Sequence, residues 1–121
     1  MKATLTNYRQ SPRKVRVVAN AVKGKSVNEA DVVLAYMAKR GAGPIQKLVK
    51  SAISNAVLKG ADKDSLIIKN IEVNQGVVLK RIMPRAMGSS SPIKKRTSHI
   101  VVTLAEAVKK EKKAKVTNKK K

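Results

Sequence analysis

Between Glu72 and Glu106 this chain carries no acidic residue, and over the same stretch strand-forming residues give way to lysine and arginine. From Leu66 onward β-branched side chains dominate through Ile67, Ile68, Ile71, Val73, Val77 and Val78, which predicts a long strand. A return strand is predicted through Ile100, Val102 and Leu104, with Met87-Gly88-Ser89-Ser90-Ser91-Pro92 holding turn chemistry between the two. The pair reads as one extended hairpin over residues 71–104. Its arms of roughly 12 to 15 residues would reach some 40 to 50 Å at about 3.3 Å per residue.

Toward the tip, Lys80, Arg81, Arg85, Lys94, Lys95 and Arg96 stand where apolar alternation should continue, so the distal half has no packing face. A two-stranded hairpin is marginal alone in water, and like charges on facing strands weaken it further. Charge on exposed strands also guards against edge pairing, but a guard needs fewer cations than these, and some compensation. The arm is therefore expected to lie against something anionic.

Net charge makes the same demand of the whole chain. Lys and Arg number 28 against seven Asp and Glu, giving +21 over 121 residues, a self-repulsion that a polyanion must normally relieve. Nucleic acid suits, because each phosphate neutralised releases condensed counterions. A membrane suits less well. No run of about 18 apolar residues exists to span one, no charged-then-apolar signal segment opens the chain, and the helices carry Val and Ala rather than the large anchors of an interfacial helix. The expectation is a protein that stays where it is made. Cysteine is absent, which removes disulfides, thiolate metal sites and thiol nucleophiles. Tyr8 and Tyr36 are the only aromatics, so the stacking platforms that splay out single-stranded bases cannot be built. Backbone and shape recognition remain.

Ahead of the hairpin, 121 residues suit one domain with one modest core. Lys2 to Tyr8 alternates as a short edge strand. Ser11-Pro12 starts a helix, as N-cap and first helical residue, and Gly24 stops it. Val15, Val18, Ala19 and Val22 share its inner face, whereas Arg9, Arg13, Arg16, Asn20 and Lys23 gather opposite. Ser26-Val27-Asn28-Glu29 reads as a capping box opening a second helix with Ala30, Val33, Leu34 and Met37 inward. After Gly41 and Gly43, Pro44 is expected to start a third, in which Ile45, Leu48, Val49, Ala52, Ile53, Ala56 and Val57 form the central core stripe. Gly60 and the stretch from Ala61 to Ser65 end it. Residues 108–121 are a Lys-rich tail, too charged to bury anything, expected to be disordered without a partner and chemically suited to RNA phosphate.

Catalytic and nucleotide-binding readings find little support. Gly24-Lys25-Ser26 imitates the end of a P-loop, but Ala19 occupies the place of the required earlier glycine and the segment follows a helix. His99 is the only histidine, and Glu29, Asp31, Asp62, Asp64, Glu72, Glu106 and Glu111 do not cluster around it, so neither acid–base work nor a metal site is expected. Asp62 and Asp64 fit turn-forming roles. No nucleophile, base and orienting group can be assembled, so no enzyme, cofactor, metal or small-molecule substrate is expected. A DNA-binding helix-turn-helix around Gly24 remains an alternative, as does a generic polycation, although either leaves the hairpin and tail without a purpose.

Lys80, then Arg85-Ala86-Met87-Gly88-Ser89, then His99-Ile100-Val101-Val102-Thr103-Leu104 form a pattern at fixed spacing. It resembles the signature of the bacterial large-subunit ribosomal protein L-twenty-two family. The likeness runs over most of Lys2 to Glu106, including Ser11-Pro12-Arg13-Lys14-Val15-Arg16 and Lys95-Arg96-Thr97-Ser98-His99-Ile100.

The resemblance implies an α+β body: three helices packed on a small antiparallel sheet with a long protruding β-hairpin. Residues 1–107 would form the rRNA-binding domain. It further implies a cytoplasmic protein of the large ribosomal subunit, with large-subunit rRNA and neighbouring ribosomal proteins as partners, whose hairpin lines the polypeptide exit tunnel and assists assembly. The expected rRNA contacts are Arg9, Arg13, Lys14, Arg16, Lys23 and Lys25 on the body. On the arm they are Lys80, Arg81, Arg85, Lys94, Lys95, Arg96, Thr97, Ser98 and His99. The tip, Met83, Pro84, Arg85, Ala86, Met87, Gly88, Ser89, Ser90 and Ser91, would stand nearest the nascent polypeptide and close to where macrolides bind in this family. Members often place further cations just after the position of Gly88, where this chain has Ser89, Ser90, Ser91 and Pro92.

Overall fold

A computed structural model describes residues 1–106; the Lys-rich tail lies outside them. The order is β1 (Lys2–Tyr8), α1 (Pro12–Val22), α2 (Val27–Tyr36), α3 (Ala42–Val57), β2 (Leu66–Pro84) and β3 (Ser90–Glu106). The strands make one antiparallel sheet in the order β1-β3-β2, so β1 is indeed an edge. Three helices pack on this sheet, and the α+β architecture expected from the sequence is the one observed.

The core explains the patterns. Val15, Val18, Ala19 and Val22 of α1, Ala30 and Leu34 of α2, and Ile45, Leu48, Val49, Ala52 and Ala56 of α3 are buried together. They cover the cross-strand pairs Ile68/Leu104, Ile71/Val102 and Val73/Ile100. Along β2 the buried residues change parity, from Leu66 and Ile68 to Ile71 and Val73. The register shift between Ile68 and Asn70 accounts for it, since one extra residue in a strand turns the following side chains to the other face.

The loop after α1 covers part of β2's outer edge. Gly24 N–H donates to Ile68 O at 2.9 Å, and Ile68 N–H donates to Lys25 O at 3.0 Å. Ser26 caps α2 as expected, its hydroxyl accepting from Glu29 N–H at 3.3 Å. Ser11 occupies the cap of α1 without a side-chain bond.

Four details depart from the sequence reading. Helix α3 starts at Ala42, not Pro44, because a first-turn residue needs no intrahelical N–H donor and Gly43 lacks the Cβ that would clash with the proline ring. Val57 is 53% exposed; it is the last residue of α3, and Ala56 holds the buried position there. The hairpin strands are longer than expected, with 19 residues in β2 and 17 in β3, a reach of roughly 60 Å at about 3.3 Å per residue. The turn is also tighter. Ser90 to Pro92 already belong to β3, and a short 3-10 turn at Ala86–Gly88 closes the tip with Arg85 N–H donating to Ser89 O at 2.8 Å. Met87 and Gly88 both take left-handed backbone there, at φ 58° and 67°.

Where the hairpin leaves the body, both neighbours of β3 bulge. Gly76 and Val77 together oppose Thr97, and β1 shifts register between Leu5 and Tyr8, opposite His99. A Cβ on Gly76 would lie 2.5 Å from Thr97 Oγ1 and 3.0 Å from His99 Nε2. Gly76→Ala must therefore displace one of these side chains, and it should cost about 1–3 kcal/mol. A thermal melt should show a fall of about 4–8 °C per kcal/mol; an unchanged melting temperature would contradict this packing.

Candidate nucleic-acid interface

Every residue from Lys80 to Ser90 is exposed, and no residue between Val73 and Thr97 is buried. Along this arm Val78 pairs with Arg96, Lys80 with Lys94 and Ile82 with Pro92 on one face. Leu79 with Lys95 and Arg81 with Ile93 occupy the other. Both faces are therefore cationic, and Lys80 and Lys94 set like charges directly across from each other, an arrangement that opposes pairing.

At the root of the arm the cations converge on a groove of about 780 Å³. Arg9 comes from the loop after β1, Lys14 from α1, Arg40 from the loop before α3, and Lys94, Lys95 and Arg96 from β3. An adjoining hollow of about 440 Å³ shares Lys14 and Arg96 and adds Arg13, Arg16 and Gln75. No acidic side chain lines either one. Among the described residues the ion pair found is Lys50–Asp31 at 3.7 Å, between α3 and α2, so the groove cations hold no carboxylate. The start of α1 opens here too, and a helix N-terminus adds partial positive charge of its own.

The expected contacts thus divide. Arg9, Arg13, Lys14, Arg16, Lys94, Lys95 and Arg96 come together, whereas Lys80, Arg81 and Arg85 stand out along the arm. Lys23 and Lys25 lie at the far end of α1, beside the start of β2. Arg16 is already engaged, its Nε and Nη2 donating to Val73 O at 3.2 and 3.0 Å. Arg40 was missed by sequence reading, which took only Gly41 and Gly43 from this stretch, as a break; two adjacent cations in a short loop were the available signal.

Thr97 and Ser98, expected among the contacts, have their side chains inside the fold. They are 5% and 0% exposed, and both hydroxyls are spent within the fold. Thr97 Oγ1 donates to Val77 O at 2.7 Å and Ser98 Oγ to Gln10 O at 2.6 Å. His99 is half-buried, with Nδ1 accepting from Asn7 N–H at 3.2 Å. These residues tie the root together; the cations around them face outward. At the tip, Arg85 Nε donates to Ser91 Oγ at 3.3 Å and Met87 is fully exposed.

Two substitutions separate the roles. Ser98→Ala should cost about 1–3 kcal/mol of stability by stranding the Gln10 carbonyl, with the salt dependence of RNA binding unchanged. Lys95→Ala should leave the melting temperature alone and reduce the log–log salt slope by about 1. Melting curves and binding titrations on both variants check the assignment, and exchanged outcomes would overturn it.

Comparison with known proteins gives the family. The family model described as "Ribosomal protein L22p/L17e" matches residues 3–105. The chain is 46% identical over 110 residues to "Large ribosomal subunit protein uL22" of Myxococcus xanthus, covering 88% of this chain and 96% of that protein. It is 49% identical over 105 residues to the protein of the same name from Geobacter sulfurreducens, covering 86% and 95%. For that of Syntrophotalea carbinolica the identity is 50% over 106 residues, covering 87% and 96%. With a family match that spans the sheet, the helices and the whole cationic arm, this chain belongs to the ribosomal protein L22p/L17e family.

Proposed function

We propose that this chain, a structural constituent of the bacterial large ribosomal subunit in the cytoplasm, binds large-subunit rRNA, assists its assembly and lines the polypeptide exit tunnel with its hairpin. The observation that carries this reading is the arm itself. It has no apolar face to pack, cations on both faces, and no acid between Glu72 and Glu106. Arg side chains fork onto phosphate oxygens while Lys supplies less directional charge, so RNA on either side of the arm would neutralise it and hold it straight.

The groove at the root extends the same contact to the body. Arg9, Arg13, Lys14, Arg40, Lys94, Lys95 and Arg96 come from distant parts of the chain, which suits a protein that ties separate RNA segments together. The tip from Met83 to Ser91, exposed as far as Ser90, carries Arg85 as its one cation, and we assign it to the tunnel wall beside the nascent polypeptide. Neighbouring ribosomal proteins are its other partners.

A helix-turn-helix reading loses support from α2. The element that would read a DNA groove contains no Lys or Arg and carries Glu29 and Asp31, and the preceding loop is fastened to β2. No helix among the described residues is long and apolar enough to cross a membrane.

Two outcomes test the proposal. Affinity for large-subunit rRNA should fall steeply with salt, with a log–log slope of roughly −4 to −5 for six phosphates neutralised; a slope near −1 would oppose the mechanism. Replacing residues 80–94 by a two-residue Asn-Gly turn would join Leu79 to its cross-strand partner Lys95. The body should melt as before, while incorporation into large-subunit particles drops. Normal incorporation would remove the arm from assembly.

A further inference from the structure

The fold treats the chain's two aromatic rings oppositely. Tyr8 packs against the core, half-buried, and its hydroxyl donates to Arg40 O at 3.4 Å. Tyr36, the last residue of α2, is 87% exposed. Helical geometry puts it there, because Val27, Ala30 and Leu34 take the buried stripe and leave Asn28, Val32 and Tyr36, four apart, on the outward face.

The chain turns directly after this ring. Lys39 N–H donates to Met37 O at 2.7 Å and Ala42 N–H to Lys39 O at 2.9 Å. The turn presents Lys39 and Arg40, both exposed. Arg40 lines the basic groove, and Lys39 joins Lys14 in a neighbouring hollow of about 270 Å³. From Leu34 through Ala61 there is no acid. An apolar protein surface laid over Tyr36 would have to desolvate these cations. An unpaired nucleobase instead brings a π-face for the ring and phosphates for Lys39 and Arg40 together.

We infer that Tyr36 stacks on one unpaired nucleobase of the rRNA whose backbone enters the groove beside Arg40. This deepens the rRNA reading above and rests on it. It also refines what composition excludes: two tyrosines cannot splay several bases, but a single stacked base needs only one ring. The ring is the functional part, so the hydroxyl is dispensable.

The test uses the full chain and protein-free large-subunit rRNA at fixed salt. Tyr36→Ala should bind roughly 5- to 100-fold more weakly, and Tyr36→Phe should match the parent. The salt slope should be the same in all three, since no phosphate contact is removed. Base-specific chemical probing should find an unpaired base protected by the parent and by Tyr36→Phe but open with Tyr36→Ala. Equal melting temperatures would exclude misfolding of an exposed-site variant. The inference falls if Tyr36→Ala binds like the parent or flattens the salt slope as a lost cation would. It falls equally if that variant keeps rRNA affinity and loses only a neighbouring ribosomal protein. A parent chain that binds rRNA with no steep slope would remove the rRNA reading itself, and this inference with it.

Discussion

The pairing of β2 with β3 is the interaction on which the molecule depends, because one continuous ladder serves two environments. At the end away from the turn its side chains are core: Ile68/Leu104, Ile71/Val102 and Val73/Ile100 sit under three helices. Past Gly76 the backbone bonds continue as far as Pro84/Ser90 with nothing packed against either face. A net hydrogen bond contributes about 0.5–1.5 kcal/mol, and ordering a residue's backbone costs about 1–2 kcal/mol, so backbone bonds alone do not offset the ordering of the outer ladder. Its register is inherited from the buried half. The body sets where the arm points, and nothing in the fold packs against its outer half.

The root of the arm shows how this division is built. Thr97 and Ser98 turn their hydroxyls onto Val77 and Gln10, His99 accepts from Asn7, and Arg16 holds the Val73 carbonyl. Two of these bonds satisfy backbone groups within the bulges, Val77 O and Asn7 N–H, and the other two engage carbonyls of β2 and of the loop after β1. Around this polar knot the cations point away from the protein. Side chains neighbouring in sequence thus do different work: Arg96 meets the groove, Thr97 and Ser98 fasten the fold.

Much of this was legible in the residues themselves. Helical periodicity located the inner faces of α1 to α3, whereas the loss of apolar alternation at Lys80 falls inside the unsupported arm, since the last buried residue of β2 is Val73. What could not be read depended on pairing across the chain. The bulges at Lys69 and at Gly76-Val77 are set by β3, 20 or more residues away, so the parity change in β2 had no local cause to find. Thr97 and Ser98 look like the rest of a polar strand until the register shows them facing Val77 and Gln10. Arg40 became part of the site only because folding carries the loop before α3 to the root of the hairpin. The start of α3 was misplaced because proline advertises a helix start without saying which first-turn position it holds.

Pro84 and Pro92 lie in the outer ladder, and the outer strand rims beyond Gly76 are open. Open rims invite a second chain to add on, the route by which sheets grow into aggregates. Here an incoming copy would present identical cations against identical cations, and each proline removes a donor from the rim it would need. The same density of like charge that leaves the arm without a packing face would keep separate copies from zipping onto one another.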